Sequence, residues 1–302
     1  MAAHHLSWLE AGVVGAMQGV SELFPVSSLG HSVLLPAVVG GSWARDLNVA
    51  SSESPYLAFI VGLHVATAIA LIIYFWRDWV RIIRGLISSI GHRQVRTADE
   101  RLAWLLVLAT IPVGLVGLLL EHWLRTHLGR PVPAAIFLIV NGIVLFAAEQ
   151  FRQGDPNVNQ AYVDERITGP VSDARIARLP VVPAVLIGSA QILALAPGIS
   201  RSGITMVAGM LRGLSREDAA RFSFLLATPV ILAAGVLKLP DLTGPLGEGI
   251  RAQAIFGAVL SGIGAYVSVR FLTRYLSVRS LRPFGVYCIV AGAASLVWFA
   301  VR

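Results

Sequence analysis

The sequence is poor in cysteine, lysine and charged residues, and each shortage excludes a class of protein. Cys288 is the single cysteine among 302 residues, so an internal disulfide and a thiol-ligated zinc site are both excluded. Charged residues make up 14% of the chain, against about 25% in ordinary soluble domains. The net charge of +7 comes from scattered arginines, with Lys238 the only lysine, and this argues against a nucleic-acid-binding domain.

Long apolar runs occupy most of the chain. Hydrophobic residues make up 56% of it, and the mean hydropathy is +0.72. A membrane-spanning helix needs about 20 mostly apolar residues. The sequence therefore predicts an all-α, polytopic membrane protein that forms one integral membrane domain over residues 1–302. Six segments are long enough to span: 57–76, 102–121, 133–149, 221–238, 252–272 and 283–301.

Four further apolar segments are too short or too interrupted to span. Pro25 separates the first two of them, and Pro197-Gly198 separates the other two. Proline removes a backbone donor and glycine adds conformational freedom, so a helix should break at both points. Broken helices at membrane depth are tolerated only where they are buried in protein or line a wet cavity. We therefore expect two re-entrant helical hairpins, built from the segments 8–23 with 28–40 and 181–196 with 204–213.

The order of these elements predicts an inverted-topology repeat, with a first half over 1–149 and a second half over 181–302. Each half holds one hairpin and three spans, so the second half must enter the membrane from the opposite side. A weak sequence similarity at a fixed offset of 173 residues supports the repeat. The matching pairs are Gly15 with Gly188, Gln18 with Gln191, Ser27 with Ser200, Gly30 with Gly203 and Ser32 with Thr205.

Loop charge predicts the orientation. The loops 77–101 and 270–282 are rich in arginine and should be cytoplasmic by the positive-inside rule. The first hairpin and both termini then face outward. The loop 150–180 has balanced charges and is predicted to be a polar linker between the halves.

The first hairpin carries ionisable groups inside an apolar run. Gln18 and Glu22 are four residues apart and share a helix face, where they could hold a divalent cation or orient a phosphate. Ser27 and Ser28 follow the Pro25 break, where a helix start would direct free N–H groups at an anion. His31 could act as general base, general acid or nucleophile. Polar groups are costly in hydrocarbon, so such a cluster indicates a functional site.

The second hairpin carries the phosphate-binding candidates. Arg201 offers a planar fork that matches phosphate oxygens. The hydroxyls of Ser200, Ser202 and Thr205 add donors around it. In contrast, His64 is a lone histidine in an apolar span and receives no role, and the charged residues at 216–221 are interpreted as a solvated helix start.

These motifs resemble those of the bacterial undecaprenyl-diphosphatases of the bacitracin-resistance (BacA/UppP) type. The first family motif runs from Gln18 and Glu22 into Pro-Val-Ser-Ser-Leu-Gly-His at 25–31, and the second is complete as Pro-Gly-Ile-Ser-Arg-Ser-Gly-Ile-Thr at 197–205. The resemblance covers essentially the whole chain. It implies removal of the terminal phosphate of undecaprenyl diphosphate with a divalent cation, Mg or Ca. It also implies a bacterial plasma (inner) membrane location, a site open toward the outer face, and a role in recycling the lipid carrier for cell-wall synthesis.

The resemblance also assigns roles to matching positions. It implies that Glu22 and Gln18 belong to the metal and diphosphate site and that Ser28 and His31 are candidates for nucleophile or acid–base work. It implies a phosphate clamp made of Ser200, Arg201, Ser202 and Thr205. The expected partners are a polyprenyl diphosphate lipid and the bilayer, with no nucleic acid, and a homodimer is left open.

The sequence departs from the family pattern at two positions and leaves both the nucleophile and the function with alternatives. Gln18 is the weaker ligand of the two residue types that the family uses there, and Leu29 stands where the family often has threonine. Attack could come from Ser28, from His31 or from a water activated through His31. The alternative function is a polyprenyl-phosphate transporter or flippase, since inverted repeats with broken helices are also a transporter architecture.

Overall fold

A computed structural model describes residues 6–47, 55–153, 169–244 and 247–301. Within these ranges the regular structure is helical, which confirms the all-α prediction. The first part of the chain forms α1 (Trp8–Ser21), α2 (Ser28–Val39), α3 (Gly41–Asp46), α4 (Pro55–Tyr74), α5 (Trp76–His92), α6 (Ala98–Leu128) and α7 (Pro131–Gln153). The second part forms α8 (Gly169–Ile176), α9 (Val181–Ser189), a 3-10 helix (Ala190–Leu195), α10 (Arg201–Leu211), α11 (Arg216–Thr243), α12 (Arg251–Val278) and α13 (Arg282–Val301).

Six of the described helices are long and apolar enough to cross a membrane. They are α4, α6, α7, α11, α12 and α13, with mean hydropathies of 1.7 to 2.4 over their apolar windows. All six predicted spans are therefore confirmed, and the protein is a multi-pass membrane protein. Many of the large apolar side chains on these helices are exposed, as lipid contact requires.

Both predicted breaks occur where the sequence places them. The chain leaves α1 after Ser21 and enters α2 at Ser28, with Pro25 between the two helices. The 3-10 helix ends at Leu195, and α10 begins at Arg201 after Gly198 takes a φ of +110°. Only glycine adopts this backbone angle without strain. A further bend of 105° separates α8 from α9 and the 3-10 helix that continues it.

Small residues let α1 approach α12 closely. An added Cβ on Gly15 would lie 2.4 Å from the Gly257 carbonyl oxygen, and one on Gly19 would lie 2.2 Å from that of Ser261. Such contacts exclude any side chain at these positions, as in the small-xxx-small packing of membrane helices. The contact fixes the C-terminal end of α1, which carries Gln18 and is followed by its C-cap residue, Glu22.

The helix partners alternate between the two parts of the chain. Helix α1 packs on α12 and α9 packs on α6, while α4 packs on α11 and α7 packs on α13. In an inverted repeat, each helix of one half is expected to pack on a helix of the other half, as these pairs do. The division into two repeats stays a prediction.

The predicted linker 150–180 is in part a packed helix. Residues 154–168 lie outside the described residues, but α8 occupies part of the remainder. Its Asp173 is 1% exposed and accepts hydrogen bonds from Arg81 at 2.6 Å and from Arg221 at 2.7 Å. The polar composition predicted a segment surrounded by solvent. Instead, its buried carboxylate pairs with arginines that are distant in the sequence.

The charged start of α11 is also buried, so its interpretation as a solvated helix start was wrong. Asp218 is 2% exposed and Arg221 is 9% exposed. Arg175 donates two hydrogen bonds to Asp218, each 2.7 Å long, and the Ser172 hydroxyl donates to the same carboxylate. Since breaking one partner of a buried pair leaves an uncompensated charge, these contacts hold α8 firmly against α11.

Candidate functional site

The two broken segments meet at their glycines. An added Cβ on Gly30 would lie 2.9 Å from the Cα atom of Gly198, so the two backbones are in direct contact. The Gly198 N–H donates to the Ser27 hydroxyl oxygen at 3.2 Å. Ser27 has a positive φ of 68°, and its hydroxyl also caps α2 by accepting from the Gly30 N–H. The breaks thus bring the N-terminal ends of α2 and α10 together.

Asn141 of α7 ties the two breaks to each other. Its amide nitrogen donates to the Pro25 carbonyl at 3.0 Å, and its amide oxygen accepts from the Ser200 N–H at 3.0 Å. Both backbone groups belong to interrupted helices. Without Asn141 the Ser200 N–H would lack a partner, and the Pro25 carbonyl would keep only the weak Cys288 thiol donor at 3.8 Å. Sequence reasoning missed Asn141, because a single amide in an apolar span gives no indication of which loops it will contact.

Glu22 is the centre of a buried polar cluster. Its side chain is 4% exposed. Oε1 accepts from the Arg201 guanidinium at 2.5 Å. Oε2 accepts from the Gln18 amide at 2.9 Å and from the Ser28 hydroxyl at 2.5 Å. A buried charge is costly unless it is paired and hydrogen-bonded, and both conditions are met here. The sequence prediction that the two hairpins meet is thus realised in the pairing of Glu22 with Arg201.

His64 of α4 is part of the same cluster, although it was given no role from the sequence. Its Nδ1 lies 2.8 Å from the Ile60 carbonyl, which can only accept, so Nδ1 carries a proton. The other ring nitrogen, Nε2, lies 3.2 Å from Glu22 Oε2. The Ile60 contact therefore orients the ring toward the carboxylate. Nothing in the local sequence distinguishes His64 from a histidine that only satisfies its own helix.

Two polar atoms of the cluster are buried without a hydrogen-bond partner. They are the Gln18 amide oxygen, an acceptor, and the Arg201 Nη1, a donor. Buried polar groups in native proteins are nearly always paired, so each unpaired one needs an explanation. A ligand that brings both anionic oxygens and a cation would satisfy the two atoms. The fixed bond from Arg201 Nη2 to Glu22 leaves Nη1 as the free side of the guanidinium fork.

His31 lies near this cluster but contacts a different set of groups. Its Nδ1 donates to the Ser27 carbonyl at 2.7 Å, since a carbonyl can only accept. Its Nε2 lies 2.7 Å from the Tyr287 hydroxyl, and the two rings are stacked with centroids 5.7 Å apart. The ring is only partly covered, and its contact with Tyr287 lies at an exposed position. Tyr287, on α13, was also missed from the sequence.

The remaining predicted hydroxyls are engaged within the protein. The Ser200 hydroxyl caps α10 by accepting from the Gly203 N–H at 3.1 Å. The Ser202 hydroxyl donates to the Phe24 carbonyl at 3.2 Å, and the Thr205 hydroxyl donates to the Arg201 carbonyl at 2.7 Å. These bonds position the turn that carries Arg201. A direct role of Ser200, Ser202 and Thr205 in phosphate binding stays a prediction.

The cluster offers a divalent cation few oxygen donors from the protein. Among the described residues, His, Cys, Asp and Glu form no group of three or more that could hold a metal ion. Glu22 supplies a carboxylate, and the unpaired Gln18 oxygen supplies a neutral acceptor. Magnesium is usually bound through one or two carboxylates together with substrate phosphates. Glu22 and Gln18 therefore suit such an ion but would not make a protein-only metal site.

The chain is similar to known proteins over almost its whole length. The model of the family "Bacitracin resistance protein BacA" matches residues 11–294. The chain is 62% identical to the undecaprenyl-diphosphatase of Mycolicibacterium paratuberculosis, and the match covers 99% of both chains. It is 51% identical to undecaprenyl-diphosphatase 1 of Frankia casuarinae over 98% of this chain and 99% of the relative. It is also 43% identical to undecaprenyl-diphosphatase 2 of Burkholderia orbicola over 96% of both chains.

Proposed function

The chain belongs to the bacitracin resistance protein BacA family, and on this basis we propose that it hydrolyses undecaprenyl diphosphate to undecaprenyl phosphate and inorganic phosphate. It is a membrane hydrolase that acts on a phosphoanhydride. The relatives at 62% identity carry the name of this activity and match almost the whole chain. The product, undecaprenyl phosphate, is the lipid carrier that cell-wall synthesis reuses. Because the reaction consumes undecaprenyl diphosphate, it confers bacitracin resistance.

The observation that carries the site assignment is the contact of Ser28, Glu22 and Arg201. The Ser28 hydroxyl donates to Glu22, as expected for a nucleophile beside its proton acceptor. Arg201 binds the other oxygen of the same carboxylate and keeps its second nitrogen free. This nitrogen is the only charge-bearing donor in the cluster that lacks a partner among the described residues, and it suits a phosphate oxygen.

The proposed chemistry is an in-line displacement at the terminal phosphorus. The Ser28 oxygen forms a bond to phosphorus while its proton passes to Glu22. The bond from phosphorus to the bridging oxygen breaks, and its electron pair leaves with undecaprenyl phosphate. A water molecule then attacks the phosphoserine, and inorganic phosphate departs as the serine regains a proton. Arg201 and the N-terminal ends of α2 and α10 stabilise the charge on the transferring group.

His31 is proposed as the acid–base group for the water step. Its protonated Nδ1 is fixed by the Ser27 carbonyl, so Nε2 is the nitrogen that can exchange a proton. The contact of Nε2 with Tyr287 is left uncovered by the described part of the protein, so this nitrogen lies on the accessible side of the ring. Ser28 is favoured over His31 as nucleophile, because the serine and not the histidine is hydrogen-bonded to Glu22.

A divalent cation, Mg or Ca, is proposed to be held by Glu22, Gln18 and the diphosphate oxygens. Such an ion would neutralise charge on the diphosphate and act as a Lewis acid toward its oxygens. The unpaired buried oxygen of Gln18 supports this assignment. The protein is proposed to reside in the plasma (inner) membrane of a bacterium, with the site toward the outer face, and the arginine-rich loops on the other side support this orientation. A homodimer stays a prediction.

The test is phosphate release from undecaprenyl diphosphate by the purified protein. Glu22→Ala and Arg201→Ala should each abolish phosphate release. Arg212→Ala is the control and should not, because Arg212 is an exposed residue at the C-cap of α10. Gel filtration and a thermal unfolding midpoint check that each variant is folded. Full release by either folded site variant would refute the assignment. Lipid movement in liposomes without any release from the wild type would favour the flippase alternative.

A further inference from the structure

Helix α5 presents a continuous stripe of large apolar side chains that the described part of the chain leaves uncovered. Its members follow one another at spacings of three or four residues, so they share one face of the helix. Each is exposed over 36% to 65% of its surface. They are Trp76, Val80, Ile83, Ile87 and Ile90. An apolar face of this length is costly in water and indicates an apolar neighbour.

The opposite face of α5 is attached to the start of α6. Ile82, Gly85 and Ser89 are the buried residues of the helix. An added Cβ on Gly85 would lie 2.9 Å from the Glu100 backbone nitrogen, and the Trp104 indole donates to the Ser89 hydroxyl at 2.9 Å. Within the described residues, the protein therefore covers the back and one flank of the helix, where Trp79 and Leu86 pack on the core, and leaves the stripe exposed.

Two arginines form the edge beside the stripe. Arg77 follows Trp76 and Arg84 follows Ile83, so each lies about 100° around the helix from the stripe, and the seven-residue spacing places both on the same edge. Both are exposed, and neither has a carboxylate partner among the described residues. The Arg77 guanidinium lies over the Trp76 ring, 5.4 Å from its centroid, a contact that leaves its N–H donors unused. Arg81 differs, because Asp78, Asp99 and Asp173 all bind it.

The position of α5 in the chain places it at the membrane surface. Only Phe75 separates it from the end of the span in α4, and the span in α6 starts at Ala98. Its 17 residues cover roughly 25 Å, at about 1.5 Å per residue. Tryptophan and isoleucine on one face with arginines on the polar edge are typical of a helix that lies in the plane of the interface.

We propose that α5 is an interfacial helix and that Arg77 and Arg84 form a binding site for the phosphate of an anionic glycerophospholipid, such as phosphatidylglycerol. The stripe lies among the upper acyl chains, and the arginine edge lies at the level of the headgroups. Guanidinium forks match phosphate oxygens, and both arginines have free donors. This lipid site is separate from the Glu22 cluster and does not depend on the proposed reaction.

Spin labels test where the stripe points. The single cysteine is buried, so a Cys288→Ala background allows one label at a time, at Ile83→Cys, Ile87→Cys or the exposed control Arg93→Cys. In nanodiscs, the labels at 83 and 87 should collide with oxygen and be protected from a water-soluble nickel complex, and the label at 93 should behave in the opposite way. Nickel access at 83 and 87 would show a water-facing stripe. Protection from both reagents would show cover by protein or by a second copy. Either result overturns the proposal.

Lipid binding tests the arginine edge. Binding of phosphatidylglycerol to the detergent-purified full chain is measured by native mass spectrometry for the wild type and for Arg77→Gln with Arg84→Gln. At roughly fivefold per arginine, the double variant should lose about 25-fold in affinity. The charge-matched control, Arg93→Gln with Arg96→Gln, should keep the wild-type affinity. An equal loss in both double variants, or no loss in either, would refute a specific site.

Discussion

Replacing Arg201 by lysine should separate the two tasks of its guanidinium. One nitrogen, Nη2, donates to Glu22 at 2.5 Å, while the buried Nη1 has no partner and is free for phosphate. A lysine keeps the charge but carries it on a single nitrogen at the end of a flexible stem. It can keep the ion pair with Glu22 or reach the phosphate, but it cannot hold both in the geometry of a planar fork.

The size of the effect follows from the bond that is lost. A hydrogen bond to a charged group contributes about 1.5 to 3 kcal/mol. If this bond strengthens in the transition state, kcat/KM for phosphate release should fall about 10- to 150-fold, since 1.4 kcal/mol corresponds to a factor of ten. The thermal unfolding midpoint should change little, because Glu22 keeps a cationic partner. Arg201→Ala differs on this point, since it removes one partner of a buried pair and should destabilise the fold by about 3 to 5 kcal/mol.

The assay is phosphate release at several concentrations of undecaprenyl diphosphate, with Arg212→Lys as the matched control on α10. The control should keep wild-type kinetics, because Arg212 is exposed at the C-terminal end of the helix. Wild-type kcat/KM in Arg201→Lys would refute the reasoning, since it would mean that the second nitrogen does not bind the substrate.

The remaining predictions concern the residues around this pair. His64→Leu should lower kcat more than His64→Gln, because a glutamine amide can donate a hydrogen bond to Glu22 and leucine cannot, and phosphate-release kinetics of both variants test this. Tyr287→Phe should lower kcat up to about tenfold with little change in KM, because it removes a hydrogen bond of about 1 kcal/mol from His31 but keeps the stacked ring. Asn141→Ala should destabilise the protein by about 1 to 3 kcal/mol in chemical unfolding, because it leaves the buried Ser200 N–H without a partner. Chelation of divalent cations should stop phosphate release, and added Mg or Ca should restore it.

Each of these predictions has a result that would contradict it, and Tyr287→Phe has a matched control. Tyr266→Phe changes another half-exposed tyrosine of the neighbouring span α12 and should leave the kinetics unchanged. Equal loss in His64→Gln and His64→Leu would mean that a polar partner for Glu22 at this position is unimportant. A loss in Tyr287→Phe no larger than in Tyr266→Phe, full stability of Asn141→Ala, or undiminished release after chelation would each contradict the corresponding argument.

The architecture could be predicted because its causes are local in the sequence. A run of about 20 apolar residues has one stable solution in lipid, and all six spans follow from this rule. The breaks follow from Pro25 and from Pro197-Gly198, where the chain cannot continue a helix. The meeting of Glu22 with Arg201 could be anticipated only through the repeat, which predicts that the two broken segments approach each other.

The residues that were missed act over long distances in the sequence. His64, Asn141 and Tyr287 belong to three different spans, and each contacts a broken segment through a single side chain. A lone polar residue in an apolar helix gives no information about which neighbour it will contact after packing. The same limit explains the error at Asp173, whose partners Arg81 and Arg221 lie 92 and 48 positions away.

The central claim is that residues from the two broken segments act as one phosphatase site. A double-variant cycle on phosphate release, with Glu22→Gln, Arg201→Lys and the two combined, tests it most directly. If the two side chains form one unit, the combined variant should lose about as much kcat/KM as the more severe single variant. A loss equal to the product of the two single losses would show that Glu22 and Arg201 act independently, and would contradict the account.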